Sequence, residues 1–309
     1  MDLRQRLLDA SLPVLLYGTT PPRAGTAPEA VDAAASKLAA RLGRLPLDGM
    51  VVYDIQDESG RTQAPRPFAF SGTLDPRAYA RQLAARCGRP AVTYKCVGAL
   101  DEAGWRAWLD ETAREYGAGC VSIVGRPTSG VRYPLALSQA IRLAAAHPAG
   151  FTVGGVAIAE RHTAERSESA RLLAKSIEGC RYFISQTVYH AESTLRLLAD
   201  YARDCRGAGV APQRVVLTFA PVGREKTLQF LRWLGVRIAP EVAAAILGAP
   251  DPLAKSIEIC RDNLRRILEG ARASEIPLGI NVESVSIHRD EIEASVSLFH
   301  ALHEVFRGR

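Results

Sequence analysis

The chain has 309 residues and a formal net charge of +6, with 47% apolar and 23% charged residues. This balance is typical of a soluble globular enzyme, and the length suits one barrel domain of roughly 250 residues or more. The 39 Lys and Arg residues are scattered, without a long basic run or tail, so the composition argues against nucleic-acid binding. The excess positive charge would help to attract an anionic small molecule.

Cysteine usage and the first residues predict a reducing compartment and no membrane span. The six cysteines are isolated and show no spacing suited to zinc, so we expect buried free thiols and no metal site. Residues 1–16 contain only a short apolar run after Arg4 and Arg6, and no small-residue cleavage site. The sequence therefore predicts neither a signal peptide nor a membrane anchor, and a cytoplasmic location. It leaves the oligomeric state, a homo-oligomer included, open.

Short apolar segments alternate with longer amphipathic ones along the chain. The apolar segments are bounded by Gly, Pro or charged residues and most are rich in Val and Ile, which favours parallel strands that are covered on both faces. The predicted strands are Val14–Gly18, Met50–Asp54, Ala91–Val97, Cys120–Gly125, Phe151–Ile158, Tyr182–Tyr189, Val215–Ala220 and Leu278–Ser286. The predicted helices are Ala27–Leu42, Pro76–Arg86, Asp101–Tyr116, Pro134–Ala146, Ser167–Glu178, Ala191–Arg206, Arg224–Leu234, an extra helix at Pro240–Ile246, and Pro252–Ala271.

Eight strands in strict alternation with helices predict an α/β protein with a single (β/α)8 TIM barrel over residues 1–309. The turn after the first strand, Gly18–Arg23, lacks the phosphate-binding glycine pattern, which argues against a Rossmann domain. The one long irregular stretch, residues 56–73, follows the second strand. In a barrel such a loop lies on the catalytic face.

The second half of the chain carries several ordered blocks of a known pattern. The blocks are Gly155–His162, Leu173–Cys180, Tyr182–Tyr189, Thr218–Gly223 and Phe230–Ile238, together with Pro21–Arg23 after the first strand. Through these blocks the sequence resembles the methylenetetrahydrofolate reductase family, densely over roughly residues 150–270 and thinly elsewhere. The resemblance implies NAD(P)H-dependent reduction of 5,10-methylenetetrahydrofolate to 5-methyltetrahydrofolate. Whether the flavin FAD is bound, or hydride passes directly from nicotinamide, stays open.

The resemblance assigns a folate contact to Gln186, whose amide, near the end of an apolar strand, offers two donors and an acceptor to a pterin edge. The alternative is an amide that satisfies barrel backbone. Lys95, Tyr189 and Ser284, at or beside strand ends, are further candidates for substrate contacts.

Cofactor contacts are implied for a second set of residues. Glu168 and Lys175 lie two turns apart on one helix face, and the resemblance places such a pair at the ribityl and phosphate of a flavin. Their alternative is a solvated helix face. His162, after the fifth strand, either touches a cofactor or caps the helix that starts near Ser167. Arg126 is the fourth cofactor candidate.

The sequence departs from the family where the chemistry is done. Gly18 stands where the resemblance calls for a glutamate that acts as general acid, and Arg126 stands where it calls for a carboxylate. A glycine cannot transfer a proton, so another carboxylate must act as the acid or the usual reduction is not done. The candidate acids are Glu283, Asp54, Asp57 and Glu58.

The candidate acids can be ranked by whether they lie at a strand end or in a loop. Glu283 and Asp54 rank above the two loop residues because strand ends hold geometry better than loops. The alternative for the whole set is a salt-bridge network with Lys95 and Arg126 that shapes the rim. Two other functions stay open on the same barrel: a folate-dependent one-carbon transferase, and a folate-binding protein without catalysis.

Overall fold

The computed structural model describes residues 2–57, 62–125 and 134–308. Eight parallel strands close into one barrel in the order β1 to β8, each hydrogen-bonded to its neighbours in sequence, with β8 beside β1. The strands are β1 Leu15–Thr19, β2 Gly49–Val52, β3 Ala91–Cys96, β4 Cys120–Val124, β5 Thr152–Ala157, β6 Tyr182–Thr187, β7 Arg214–Phe219 and β8 Leu278–Glu283. The predicted (β/α)8 barrel is therefore confirmed.

Helices surround the barrel and connect successive strands. In the described part of the chain they are α1 Leu3–Leu8, α2 Pro28–Leu42, α3 Pro76–Cys87, α4 Glu102–Glu111, α5 Leu137–Ala145, α6 Glu168–Glu178, α7 Ala191–Gly207, α8 Glu225–Trp233, α9 Pro240–Leu247, α10 Pro252–Gly270 and α11 Arg289–Arg307. Some of them begin at a side-chain cap: the Asp75 side chain accepts from the Arg77 amide at α3, and the Asp251 side chain accepts from the Ala254 amide at α10. None of these helices is long and apolar enough to cross a membrane.

Two apolar layers hold the fold together. The larger one lies between the strands and the helices, and the smaller one fills the barrel interior. At the amino-terminal end of the barrel the interior is closed by α1, whose Leu3 and Leu7 are 1% exposed. The buried Arg214 guanidinium donates to the carbonyls of Leu7, Asp9 and Leu278. These hydrogen bonds connect α1 to the strands. With that end sealed, a ligand reaches the interior from the opposite end.

The helices α1 and α11 are absent from the sequence prediction. Along α11 the buried positions recur at helical spacing, but they include Glu291 and Ser295, so the apolar stripe is diluted. Most strands are also somewhat shorter than predicted, β8 and β6 among them. Strand β8 ends at Glu283, because the Ser284 hydroxyl donates to the Ser286 carbonyl in a turn. Strand β6 ends at Thr187 after a register shift that begins at Ile184.

Candidate active site

The carboxyl end of the barrel carries a cluster of polar side chains that point inward. Side chains alternate along a strand, and Leu278, Ile280 and Val282 of β8 face the helix layer. The interior positions of β8 are therefore Gly279, Asn281 and Glu283, and the last two carry polar side chains. We use the name acid cluster for Tyr53, Thr187, Thr218, Asn281 and Glu283.

Glu283 is the titratable centre of the acid cluster. The Thr187 hydroxyl donates to Glu283 Oε1 at 3.3 Å, and the Tyr53 hydroxyl and Glu283 Oε2 both border the space beside Gly18. Desolvation raises the pKa of Glu283, and the hydroxyls of Tyr53 and Thr187 oppose that rise only in part. A carboxyl group with a raised pKa keeps more of its proton as the pH approaches neutrality, which a general acid needs.

Gly18, which has no side chain, leaves space beside the Glu283 carboxyl group. The two residues are paired across β1 and β8, so they lie in the same layer of the barrel. A Cβ atom at position 18 would lie 2.9 Å from the Tyr53 hydroxyl and 3.0 Å from Glu283 Oε2. Those distances are too short for a side chain with the present packing. The glycine that removes one acid thus leaves the space for a carboxylate from the adjacent strand.

Tyr53, Thr218 and Asn281 are members of the cluster that sequence reasoning missed. The Asn281 amide donates to the Tyr53 hydroxyl at 2.9 Å and to Thr218 Oγ1 at 3.2 Å. Burial holds the pKa of Tyr53 well above its usual range, so the phenol keeps its proton. The available signal was an asparagine inside the apolar strand β8, two positions before Glu283 and hence on the same face.

Asp54 and Lys95 form a separate contact on the rim between β2 and β3. Asp54 accepts from the Cys96 backbone amide at 2.9 Å and from Gln56 Nε2 at 2.8 Å, and Lys95 Nζ lies 3.6 Å from its carboxylate. Lys95 points outward, with its ammonium 5.8 Å from the Trp108 ring centre. These two charges thus form the rim ion pair that the sequence left as an alternative, outside the acid cluster.

Three further candidates remain: the acids Asp57 and Glu58, and the cofactor candidate Arg126. Asp57 is exposed in the loop that follows β2. Glu58 and Arg126 lie outside the described residues. Of the three candidate acids that the structure describes, Glu283 is the one in the barrel interior.

The two predicted substrate contacts on and after β6 have different surroundings. Tyr182 and Ile184 face the interior, and regular alternation would place Gln186 there too. The register shift brings Thr187 to Glu283 instead, while half-buried Gln186 donates to the Leu234 carbonyl at 2.7 Å. Tyr189 requires a correction, because it is buried in the layer between strands and helices and its hydroxyl donates to the Ala220 carbonyl at 2.7 Å.

The residues that the resemblance assigned to a flavin are engaged with protein groups. Lys175 Nζ donates to the Val156 carbonyl at 2.9 Å, and desolvation lowers the pKa of this lysine. The Glu168 side chain is 2% exposed and lies 3.5 Å from Arg171. An enclosed ammonium and a buried carboxylate do not offer the accessible charge that a flavin phosphate needs, so these two positions do not fit that group.

His162, the remaining cofactor candidate, is held on the outside of the barrel. Its Nε2 lies 2.7 Å from the Asp200 carboxylate on α7. Residues around it line a surface groove between α6 and α7, and none of the acid-cluster residues lines that groove. Within residues 2–57, 62–125 and 134–308, no group of three His, Cys, Asp or Glu side chains is arranged to hold a metal ion.

Fold and site define a (β/α)8 barrel with a half-buried glutamate at its mouth. No family model matches the sequence, and no curated protein matches it significantly. Among solved structures, an uncharacterized protein from Clostridium thermocellum that binds two copies of 5-methyl-5,6,7,8-tetrahydrofolic acid is 30% identical, with a TM-score of 0.83 over 99% of both chains. The chain belongs to the same family as that folate-binding protein.

A more distant structure shows the fold alone. The chain aligns with apo-MsnO8 at 16% identity and a TM-score of 0.53, over 95% of this chain and 98% of that one.

Proposed function

We propose that this chain binds a reduced folate at the mouth of its barrel and reduces 5,10-methylenetetrahydrofolate with hydride from NAD(P)H, with Glu283 as the acid. The observation that carries the proposal is the placement of Glu283 beside Gly18, in the barrel layer where the resembling reductases require a proton donor. The family member from Clostridium thermocellum supports the ligand, because 5-methyltetrahydrofolate is the product of this reduction.

The chemistry needs one proton and one hydride. Protonation of N10 of the folate lets the bond between N10 and the bridging carbon break, which leaves an N5 iminium cation. Hydride addition to the iminium carbon then gives the N5 methyl group. Glu283 would supply the proton and become a carboxylate that the hydroxyls of Tyr53 and Thr187 stabilise.

The pterin would lie above the acid cluster, where Gln186 and Ser284 end β6 and follow β8. Gln186 donates one amide hydrogen to Leu234, which fixes the side chain and leaves its amide oxygen to accept from the pterin. Gln186→Ala should weaken tetrahydrofolate binding by about 1–3 kcal/mol, the usual cost of leaving polar groups without partners. Calorimetric titration with 5-methyltetrahydrofolate measures this loss, and unchanged affinity would remove Gln186 from the site.

We propose that hydride passes directly from nicotinamide to the folate. The protein groups around Lys175 and Glu168 argue against a flavin at those positions. The visible spectrum of the purified protein checks this part independently: we expect a colourless protein, and a bound yellow flavin would contradict direct transfer.

The activity is tested by anaerobic oxidation of NADH and of NADPH, with and without 5,10-methylenetetrahydrofolate. We expect oxidation that depends on the folate and forms 5-methyltetrahydrofolate. Lys95→Met is a suitable control variant, because Lys95 is a charged mouth candidate that faces away from the acid cluster. Folate binding without oxidation of either nucleotide would contradict the reductase.

One-carbon transfer is the second candidate function. It is favoured by the ligand of the family member, since 5-methyltetrahydrofolate is itself a methyl donor. Incubation with methyl-labelled 5-methyltetrahydrofolate distinguishes the two functions. Loss of label to a second acceptor without nucleotide would favour transfer, whereas label appearing in methylenetetrahydrofolate only with NAD(P)⁺ would favour the redox reaction.

A further inference from the structure

Helix α8 lies across the carboxyl end of the barrel instead of along its wall. Near its start, the Thr227 hydroxyl donates at 3.0 Å to the buried carboxylate of Glu291, in the first turn of the helix after β8. Just after its end, the Leu234 carbonyl accepts from Gln186 of β6 at 2.7 Å. The wall position between α7 and α11 is taken by α10, which packs against both. Helix α8 therefore forms part of the rim of the mouth, from β8 to β6.

Part of the loop after β2 rests on α8. The Ala64 carbonyl accepts from the Trp233 indole nitrogen at 3.0 Å. The Phe68 ring packs edge-on against Phe230, with ring centres 5.2 Å apart. The Arg66 guanidinium lies 5.0 Å from the centre of the Phe230 ring and 5.3 Å from that of Trp233. Aromatic and cation–aromatic contacts thus fasten this loop to the rim.

The same loop is tied at its other end to the loop after β1. The Ala24 amide donates to the Gly72 carbonyl at 2.8 Å, and the Leu74 amide donates to the Pro22 carbonyl at 2.9 Å. In the closed barrel, β8 lies between β7 and β1. Between its contacts with α8, which follows β7, and those with the loop after β1, the chain therefore crosses the end of β8, which carries Glu283.

We propose that residues 62–73 form a strap that closes one side of the mouth, and that the strap leaves α8 to let a ligand reach Glu283 or leave it. This proposal rests on the proposed function for the identity of the ligand. A closed site keeps bulk water away from a general acid, whereas binding and release need an open one.

The two fastenings of the strap differ in kind. Backbone hydrogen bonds hold it beside β1, whereas ring contacts and the Trp233 hydrogen bond hold it on α8. The α8 end is therefore the one that detaches. Pro65 and Pro67 fix the backbone within the fastened part, so this part moves as a unit.

Hydrogen exchange of the Trp233 indole N–H reports detachment without any ligand, because the Ala64 carbonyl accepts this proton. The full chain, labelled with nitrogen-15, has three tryptophans, and their indole signals are assigned by replacing each with phenylalanine. Phe68→Ala removes a ring contact of the strap and should speed exchange at Trp233 by about tenfold. The Trp105 indole, which donates to the Ala140 carbonyl at 3.0 Å, is the internal control and should be unchanged. Exchange at Trp233 that Phe68→Ala does not alter would overturn the strap.

The rates of 5-methyltetrahydrofolate binding and release test the opening of the strap. Because opening would precede both steps, Phe68→Ala should raise the association and dissociation rate constants by a similar factor and leave the dissociation constant nearly unchanged. Stopped-flow mixing with the full chain measures both rate constants. Faster dissociation alone, with weaker binding, would show that Phe68 contacts the ligand and would overturn control of access by the strap. Unchanged rate constants would overturn it as well.

Tyr116→Ala is the matched control. The Tyr116 ring lies 4.7 Å from the Arg77 guanidinium and comes just before β4, at the amino end of the barrel. This variant removes a contact between a ring and an arginine away from the mouth, so exchange at Trp233 and the two rate constants should stay the same. Equal changes in Tyr116→Ala and Phe68→Ala would show a general loosening of the fold and overturn the strap. Arg66→Met, which removes the guanidinium from the rings of α8, supplies the test if Phe68→Ala does not fold.

Failure of the strap and failure of the proposed function give different results. Unchanged exchange and unchanged rate constants in Phe68→Ala, together with folate reduction by NAD(P)H, would overturn the strap and support the proposed function. Faster exchange at Trp233 in Phe68→Ala, together with no binding of 5-methyltetrahydrofolate, would support the fastening on α8 and overturn the proposed function.

Discussion

Two carboxylates at the same end of the barrel have opposite surroundings. Glu283 at the end of β8 accepts from the neutral hydroxyl of Thr187 at 3.3 Å, and desolvation raises its pKa. Asp54 after β2 has a backbone amide at 2.9 Å and a lysine ammonium at 3.6 Å. Desolvation favours the protonated form of Glu283, whereas Asp54 lies beside a cation. Both are carboxylates near the carboxyl end of a strand, so their surroundings distinguish them.

Replacing each of the two carboxylates by its amide should give the largest difference in turnover. Glu283→Gln should lower turnover by ~10²–10⁴-fold, the usual contribution of a general acid, while folate affinity stays nearly intact. Asp54→Asn is the matched control and should change turnover only a few-fold. Steady-state rates and calorimetric folate binding are measured for both. Equal losses in the two variants would contradict the distinction between interior and rim.

Gly18→Ala tests the space that the interior acid uses. The new Cβ would lie 2.9 Å from the Tyr53 hydroxyl and 3.0 Å from Glu283 Oε2, so both groups must shift. Overpacking of this kind costs about 1–3 kcal/mol, and we expect that loss in the free energy of unfolding by urea denaturation. Gly207→Ala is the control, because no atom lies within 4 Å of the corresponding Cβ in α7. Similar losses in both variants would show that Gly18 is not tightly packed.

The dependence of stability on pH should differ between wild type and Glu283→Gln. The folded-state pKa of Glu283 is raised above the ordinary value of 4.5, so the folded protein binds more protons than the unfolded chain just above that pH. Stability therefore falls as the pH rises from 4.5 through the folded-state pKa, and this loss is absent in the amide variant. Glu283→Gln should gain stability relative to wild type between acid and neutral pH. A constant difference across this range would contradict the raised pKa.

The ion pair between Lys95 and Asp54 on the rim should contribute least to the free energy of unfolding. Lys95 and Asp54 are 3.6 Å apart with side chains 22% and 9% exposed, and Asp54 keeps its bonds from Cys96 and Gln56 when the lysine is lost. Lys95→Met should change the free energy of unfolding by about 1 kcal/mol or less. Thermal or urea denaturation at two salt concentrations measures it. A loss as large as that of Gly18→Ala would show that the rim is more than a local contact.

The fold could be predicted from the sequence because buried parallel strands are visible there as short apolar segments. Val and Ile runs such as those of β4 and β7 need no partner information to be recognised. Helix α11 was missed because Glu291 and Ser295 lie on its buried face and interrupt the apolar pattern. Glu291 is satisfied there by the Gly223 amide and the Thr227 hydroxyl, partners more than sixty positions away that no local pattern contains.

The site could be predicted from the sequence only in part, because its contacts also join residues that are far apart in the chain. Glu283 was identified because a carboxylate in an apolar strand is conspicuous. Its relation to Gly18 depends on the pairing of β8 with β1, which joins residues from opposite ends of the chain. Lys175 was placed at a cofactor by its spacing on a helix, but the structure turns its ammonium toward the Val156 carbonyl. Spacing along one helix does not determine which face the barrel covers.

A crystal structure of the full chain with 5-methyltetrahydrofolate tests the central claim most directly. We expect a pterin at the carboxyl end of the barrel, with the Glu283 carboxyl group within hydrogen-bond distance of a ring or bridge nitrogen and Gln186 at the pterin edge. Asp54 should remain paired with Lys95 in that complex. A pterin bound away from the acid cluster, or one that contacts Asp54 in place of Glu283, would contradict the account.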